Sequence, residues 1–221
     1  MEFRIHKEIT IPVNGVELNG ELIIPSKADG IIIFSHGSGS SRFSPRNQIV
    51  ARYLHQKNFG TLLFDLLTEQ EDTDYMNRFN IELLTERLIA VTIWLEKQAI
   101  AKDCQLGYFG ASTGAASALR AAASLPQIAA VVSRGGRPDL AMDLLPKVKS
   151  PTLLIIGGLD YDVLKLNNKA YFLLECERRI EIVKGASHLF EEPGAMEKVC
   201  EHAANWFEKY LLPVKTTHYV G

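Results

Sequence analysis

The stretch 105–123, QLGYFGASTGAASALRAAA, changes character at its centre. Leu106 to Phe109 is a short apolar run of strand type, and Ala115 to Ala123 is rich in alanine, the strongest helix former. Between them stands Gly110-Ala111-Ser112-Thr113-Gly114, which matches G-x-S-x-G. In that motif a serine sits on a strained strand-to-helix turn, and only small flanking residues permit the close approach of strand and helix. As a bare string the pattern arises by chance in about one chain in fifteen of this length, taking Gly and Ser at roughly 7% each. The strand-turn-helix setting lifts it above a serine that merely caps a helix.

Working outward, five more nearly continuous apolar runs have the same strand character: Gly30 to Phe34, Thr61 to Phe64, Ile128 to Val132, Thr152 to Ile156 and Ile180 to Val183. Such runs fit strands buried on both faces, hence parallel. Helical periodicity fills the intervals at Arg46 to Gln56, Ile81 to Gln98, Ser112 to Ser124, Val163 to Glu175 and Glu197 to Tyr210. Ahead of them, Phe3 to Pro12 and Val16 to Pro25 flank Asn14-Gly15, a dipeptide suited to a two-residue hairpin turn. The expected architecture is α/β: a mostly parallel, doubly wound sheet of about eight strands flanked by helices. The segments between later strands are too short for a large cap, and the longest irregular stretch is Leu66 to Asn80.

Open parallel sheets collect functional groups just beyond the carboxyl ends of their strands. Three of those positions hold Ser112, Gly157-Gly158-Leu159-Asp160 and Lys184-Gly185-Ala186-Ser187-His188. A serine hydroxyl is a weak nucleophile at neutral pH and needs a general base, itself oriented by a carboxylate. Of the histidines after Ser112, His202 falls within a helical pattern and His218 in the tail, whereas His188 follows a strand. His188 is therefore the expected base. Asp160 is the expected acid, being nearer its strand end than Asp162, which suits the start of the next helix. Asp139 is a third candidate.

Acyl transfer also needs two donors for the developing oxyanion, and the backbone N–H groups of Thr113 and Ser38 fit that role. His36-Gly37-Ser38-Gly39-Ser40-Ser41 lacks the lysine of a P-loop and the spacing of a dinucleotide fingerprint, so a phosphate loop is disfavoured. His36 is expected to fix that loop.

The 221 residues, 47% of them hydrophobic and 23% charged, suit one globular α/β domain over 1–221. A net charge of -2 offers no basic field for nucleic acid. The start MEFRIHKEITIPV has no basic n-region with an apolar core, and Cys104, Cys176 and Cys200 form no paired motif. A cytoplasmic protein without membrane partner, metal or cofactor is expected, and the oligomeric state is left open.

Together, HGSGSS at 36–41, GASTG at 110–114, GGLD followed by Tyr161-Asp162-Val163, and GASHLF at 185–190 resemble the α/β-hydrolase superfamily, within it the dienelactone hydrolase-like group. The resemblance runs from about Gly30 to Phe207. Arg42, Pro45, Arg46 and Asn47, with SRGGRPDLA at 133–141, further resemble hydrolase domains sometimes fused to phosphoribosyltransferases. Dienelactone hydrolases proper use a cysteine nucleophile, and Ser112 replaces it here. The function expected is cleavage of small carboxylic esters or lactones through an acyl-enzyme on Ser112. A thioesterase, amidase or acyltransferase would use the same residues, and a small-molecule binding protein on this fold would need none of them. Arg42, Arg134 and Arg137 follow strand ends and are candidates for binding a substrate anion, unless they pair with acids such as Asp65 or Asp139. Tyr75, Met76, Phe79, Tyr161, Leu189 and Phe190 are candidate pocket-lining residues.

Overall fold

The computed structural model describes residues 2–211, so His218 lies outside the described residues. The first two strands, β1 (Phe3–Val13) and β2 (Val16–Pro25), pair antiparallel across Asn14 and Gly15, whose φ values of 49° and 78° are those a tight hairpin turn requires. After them come β3 (Gly30–Ser35), α1 (Pro45–Gln56), β4 (Gly60–Phe64), the short α2 (Glu69–Asp72) and α3 (Ile81–Glu96). The chain continues through β5 (Gln105–Ala111), α4 (Thr113–Ser124), β6 (Ala130–Arg134), β7 (Thr152–Gly157), α5 (Tyr161–Leu173), β8 (Arg178–Val183) and α6 (Ala195–Tyr210).

All eight strands join one sheet in the order β1-β2-β4-β3-β5-β6-β7-β8, parallel from β4 to β8. Two antiparallel strands thus extend one edge of a doubly wound core. Strands β3, β4, β6 and β7 are buried along their whole length, which is why their sequences run apolar without alternation. Their side chains nevertheless alternate between two layers. Ile31 and Ile33 pack with Leu88, Leu119 and Val163 on the α3, α4 and α5 side, whereas Ile32 and Phe34 pack with Val50, Leu54, Val199 and Phe207 under α1 and α6. Truncating a fully buried ring such as Phe34 to alanine costs about 3–5 kcal/mol in such a core.

Two boundaries differ from the sequence reading. Strand β6 begins at Ala130 and runs through Arg134, so Ser133 and Arg134 are strand residues rather than loop residues. The pairing of Ala111 with Arg134 extends the ladder past the apolar run. The stretch Leu66 to Asn80 is not irregular: it holds α2, closed by a Thr68–Glu71 capping box, and a 3-10 turn over Tyr75–Phe79. No helix among the described residues is long and apolar enough to cross a membrane.

Candidate active site

Ser112 links β5 to α4 with φ 51° and ψ −120°, a region a side chain occupies only under strain. The neighbouring glycines make the turn possible. A Cβ on Gly110 would stand 2.5 Å from Ala115 Cα, and one on Gly114 would overlap the carbonyl oxygens of Ser35 and His36. The turn is held from the other side by the segment after β6: Ser112 N–H donates to Arg134 O at 3.2 Å, and Arg137 N–H donates to Ser112 O at 3.1 Å.

The loops after β7 and β8 carry Asp160 and His188. Asp160 stands at the N-terminus of α5, where helix polarity favours a carboxylate, and its Oδ2 accepts a hydrogen bond from His188 Nδ1 at 2.6 Å. That bond assigns the Nδ1 proton and directs the Nε2 lone pair outward. The two loops are laced together, since Gly158 N–H donates to Val183 O and Leu159 N–H to Ala186 O, both at 2.9 Å. A Cβ on Gly157 would collide with the carbonyls of Ala186 and Ser187, so glycine is needed for this contact. Phe190, at φ 56° and 1% exposed, anchors the far end of the base loop in the core, which corrects its expected place in the pocket lining. Tyr75, Met76, Phe79, Tyr161 and Leu189 are exposed.

The residues of the hypothetical triad converge through the backbone at 134–135. Arg134 O holds Ser112, and Gly135 abuts the His188 ring, at 3.5 Å from a built Cβ to Cε1 and Nδ1. Among the described residues Ser112 Oγ makes no hydrogen bond to His188 Nε2, whose ring is held only through Nδ1. The alternative acids are otherwise engaged. Asp162 is exposed and pairs with Lys165, and Asp139 is held by Arg137. His202 faces Glu181 from α6.

Ser38 and Thr113 are brought together directly: Ser38 N–H donates to Thr113 Oγ1 at 2.8 Å. This N–H is thus satisfied by a side chain. His36 sits behind the same loop, its Nε2 accepting from Leu66 N–H at 3.1 Å and its Nδ1 in contact with Gly37 O at 3.0 Å. Those two bonds require the neutral ring, in keeping with a pKa lowered by burial. A cavity of about 220 Å³ adjoins this loop on the side of Asp65 to Glu69, with Ser38 and Arg42 on its wall; Ser112 and His188 do not line it.

Of the three candidate arginines, Arg42 pairs through its side chain with Asp65, and Arg137 pairs bidentately with Asp139 at 2.8 Å and 2.8 Å. Arg134 has no acidic partner among the described residues. Sequence reasoning missed Glu192, whose Oε1 accepts from Ser187 N–H at 3.0 Å and braces the residue before His188; hydrogen bonding by Ser187 holds its carboxyl below the usual range. An acid five residues beyond Ser187 in a loop is too generic a signal to find. Among the described residues, no group of three or more His, Cys, Asp or Glu is placed to hold a metal.

A serine at a strained strand-to-helix turn on the central strand, with an aspartate–histidine pair after the next-but-one and following strands, is the arrangement of the α/β-hydrolase class. The chain matches a dienelactone hydrolase from Anabaena variabilis at 48% identity and TM-score 0.93, covering 96% of this chain and all of that one. It therefore belongs to the dienelactone hydrolase family and stands among the hydrolases. The esterase Est1E from Butyrivibrio proteoclasticus shares the fold at TM-score 0.78 and 16% identity, over 91% of this chain and 98% of that one. A Mycobacterium tuberculosis protein with a provisional phosphoribosyl transferase name is 50% identical over 206 residues, 93% of this chain but 46% of its own length. The chain spans about half the length of that curated relative. No protein-family model matches the sequence.

Proposed function

We propose that the protein is a cofactor-independent serine hydrolase that cleaves small carboxylic esters or lactones. The single observation that carries this reading is the 2.6 Å Asp160–His188 bond beside a strained serine elbow, an arrangement with a purpose for a base and little for a passive pocket. His188 Nε2 takes the proton of Ser112 Oγ as the oxygen attacks the substrate carbonyl. The resulting oxyanion is held by Thr113 N–H and by Ser38 N–H, which leaves Thr113 Oγ1 for the stronger acceptor. The C–O bond to the alcohol breaks, and His188 returns the proton to the leaving oxygen. Water, deprotonated by His188, then releases the acid from Ser112 in the same two steps.

The family relationship supports hydrolysis, and serine in the elbow supports an oxygen ester on the enzyme. The phosphoribosyl transferase name attaches to a longer protein and transfers no activity to this chain. The test is hydrolysis of a p-nitrophenyl ester series by the purified protein beside Ser112→Ala, with fluorophosphonate labelling of both. Turnover and labelling confined to the protein with Ser112 are expected. Absence of both in the unaltered protein overturns the reading in favour of a binding protein.

A further inference from the structure

The edge strand of a sheet is a template for another chain, and proteins commonly blunt it with proline, a bulge, lysines or a covering helix. The sheet ends at β1 and β8, and among the described residues β8 pairs with β7 alone. Its sequence, RRIEIV at 178–183, holds no proline or glycine, and its register against β7 runs from Arg178 to Val183 without a shift. The direction of its backbone groups is fixed at both ends: Glu177 O accepts from Thr152 N–H at 2.8 Å, and Val183 O accepts from Gly158 N–H at 2.9 Å. Odd-numbered residues therefore bond inward, and Arg178, Ile180 and Ile182 present N–H and C=O to the outside.

The charges on this edge are complementary to themselves. Antiparallel pairing of β8 with a second β8 about Ile180 sets Ile180 against Ile180, Arg178 against Ile182 and Arg179 against Glu181. Every outward N–H and C=O of the three even-numbered residues then meets its complement. Arg179 and Glu181 already pair within the strand at 2.5 Å, with the arginine 66% exposed. Across the two-fold axis each gains a second opposite charge, which closes a ring of alternating sign. Sliding the strands by two residues brings Arg179 against Arg179 in one direction and Glu181 against Glu181 in the other. Sliding by one turns outward groups against inward ones. A single register is thus selected.

Both faces beside the edge suit the same pairing. On the α6 side a groove of about 420 Å³ runs along the strand, lined by Glu177, Arg179, Glu181, His202 and Lys209, and gives room to the arginine of a second copy. Within it Lys209 takes Glu177 at 2.7 Å, while His202 stands 4.0 Å from Glu181, which stays open to a further cation. On the α5 side Arg178 lies over the Tyr171 ring at 4.8 Å. Ile182, 52% exposed, comes opposite Arg178 of the second copy and covers its apolar surface against that side chain's aliphatic stem. We propose that the protein forms a two-fold dimer through β8, which joins two eight-stranded sheets into one continuous sheet. Such a contact uses the same patch on both copies, so pairing through β8 closes at two and does not grow into a fibre.

The test is the mass of the full chain in solution by sedimentation velocity, beside Arg179→Glu, Glu181→Arg and an equimolar mixture of the two variants. The unaltered chain is expected to sediment as a dimer. Each variant alone opposes like charges twice across the axis, and its dissociation constant rises about tenfold or more. In the mixture a chain acidic at both positions meets a chain basic at both, and the dimer returns. The pair within the strand is lost from both variants, so only a contact between copies can restore it. Circular dichroism confirms that each variant is folded; if one is not, Ile182→Lys decides in its place, since it sets a lysine against Arg178 and weakens the dimer to a similar degree. A monomer at every concentration up to about 100 µM leaves the edge to another occupant and overturns the proposal. A dimer that none of these substitutions weakens, or a mixture no more associated than its components, overturns it equally.

Discussion

Asp160 Oδ2 and His188 Nδ1 lie 2.6 Å apart although 28 residues separate them, because their loops leave the carboxyl ends of the adjacent parallel strands β7 and β8. Asp160→Asn would keep a hydrogen bond but favour the wrong histidine tautomer. Ester turnover should fall about 10³–10⁴-fold with little change in melting temperature. A loss of less than tenfold, measured by kcat on a p-nitrophenyl ester, would remove Asp160 from the mechanism.

The strain at Ser112 predicts a stability order. Ser112→Ala retains a Cβ at φ 51°, whereas Ser112→Gly relieves it at some entropic cost in the unfolded chain. The glycine variant should be more stable than the alanine variant by about 1 kcal/mol, a difference of roughly 2–4 °C in melting temperature for a chain of this size. Calorimetry of the two inactive proteins side by side tests this, and equal or reversed melting temperatures would show that the turn stores no strain.

Gly114 predicts the opposite effect of an added methyl group. In Gly114→Ala the new carbon must displace backbone carbonyls of Ser35 and His36, which cannot swing aside as a flexible side chain would. A destabilisation of about 2–3 kcal/mol is expected, together with loss of fluorophosphonate labelling as α4 and the Ser38 loop separate. Denaturant unfolding provides the measurement, and a shift below 1 kcal/mol would mean that the junction yields easily.

His55 sets a pH dependence of stability. It is buried in α1 with Nε2 against Thr61 Oγ1 at 2.8 Å, and burial lowers its pKa from 6.5 to about 4. Between those values the unfolded chain binds a proton that the folded chain does not, so stability rises with pH across the window and is lost as pH falls from 6.5 toward 4. His36, lowered by the same cause, adds to the trend in the same direction. His55→Gln should flatten the decline of melting temperature over pH 6.5 to 4; an unchanged slope would assign the decline to other groups.

The sequence made most of this fold legible because its central strands are buried on both faces and read as unbroken apolar runs between periodic helices. Ser112, Asp160 and His188 were accessible for the same reason, each standing just past such a run. Arg134 was misplaced by one step of the same logic. The apolar run ends at Val132, yet the ladder continues, because pairing with Ala111 depends on the neighbouring backbone and not on side-chain polarity. Phe190 and Glu192 were hidden differently: the inward turn of one and the brace formed by the other depend on backbone angles and distances that no short spacing encodes. The Ser38–Thr113 bond joins residues 75 positions apart and becomes visible only once β3 and β5 are side by side.

The lacing of Gly158 and Leu159 to Val183 and Ala186 makes the Asp160 and His188 loops one mechanical part. An insertion in either loop would shear those bonds and the Asp160–His188 contact together, so this side of the site is closed to variation in length. The α2 segment on the opposite wall makes no hydrogen bond to either loop among the described residues; its partners lie within 68–87. Changes of length at α2 therefore have one shore to build on, while the Asp160–His188 bond on the other keeps its frame.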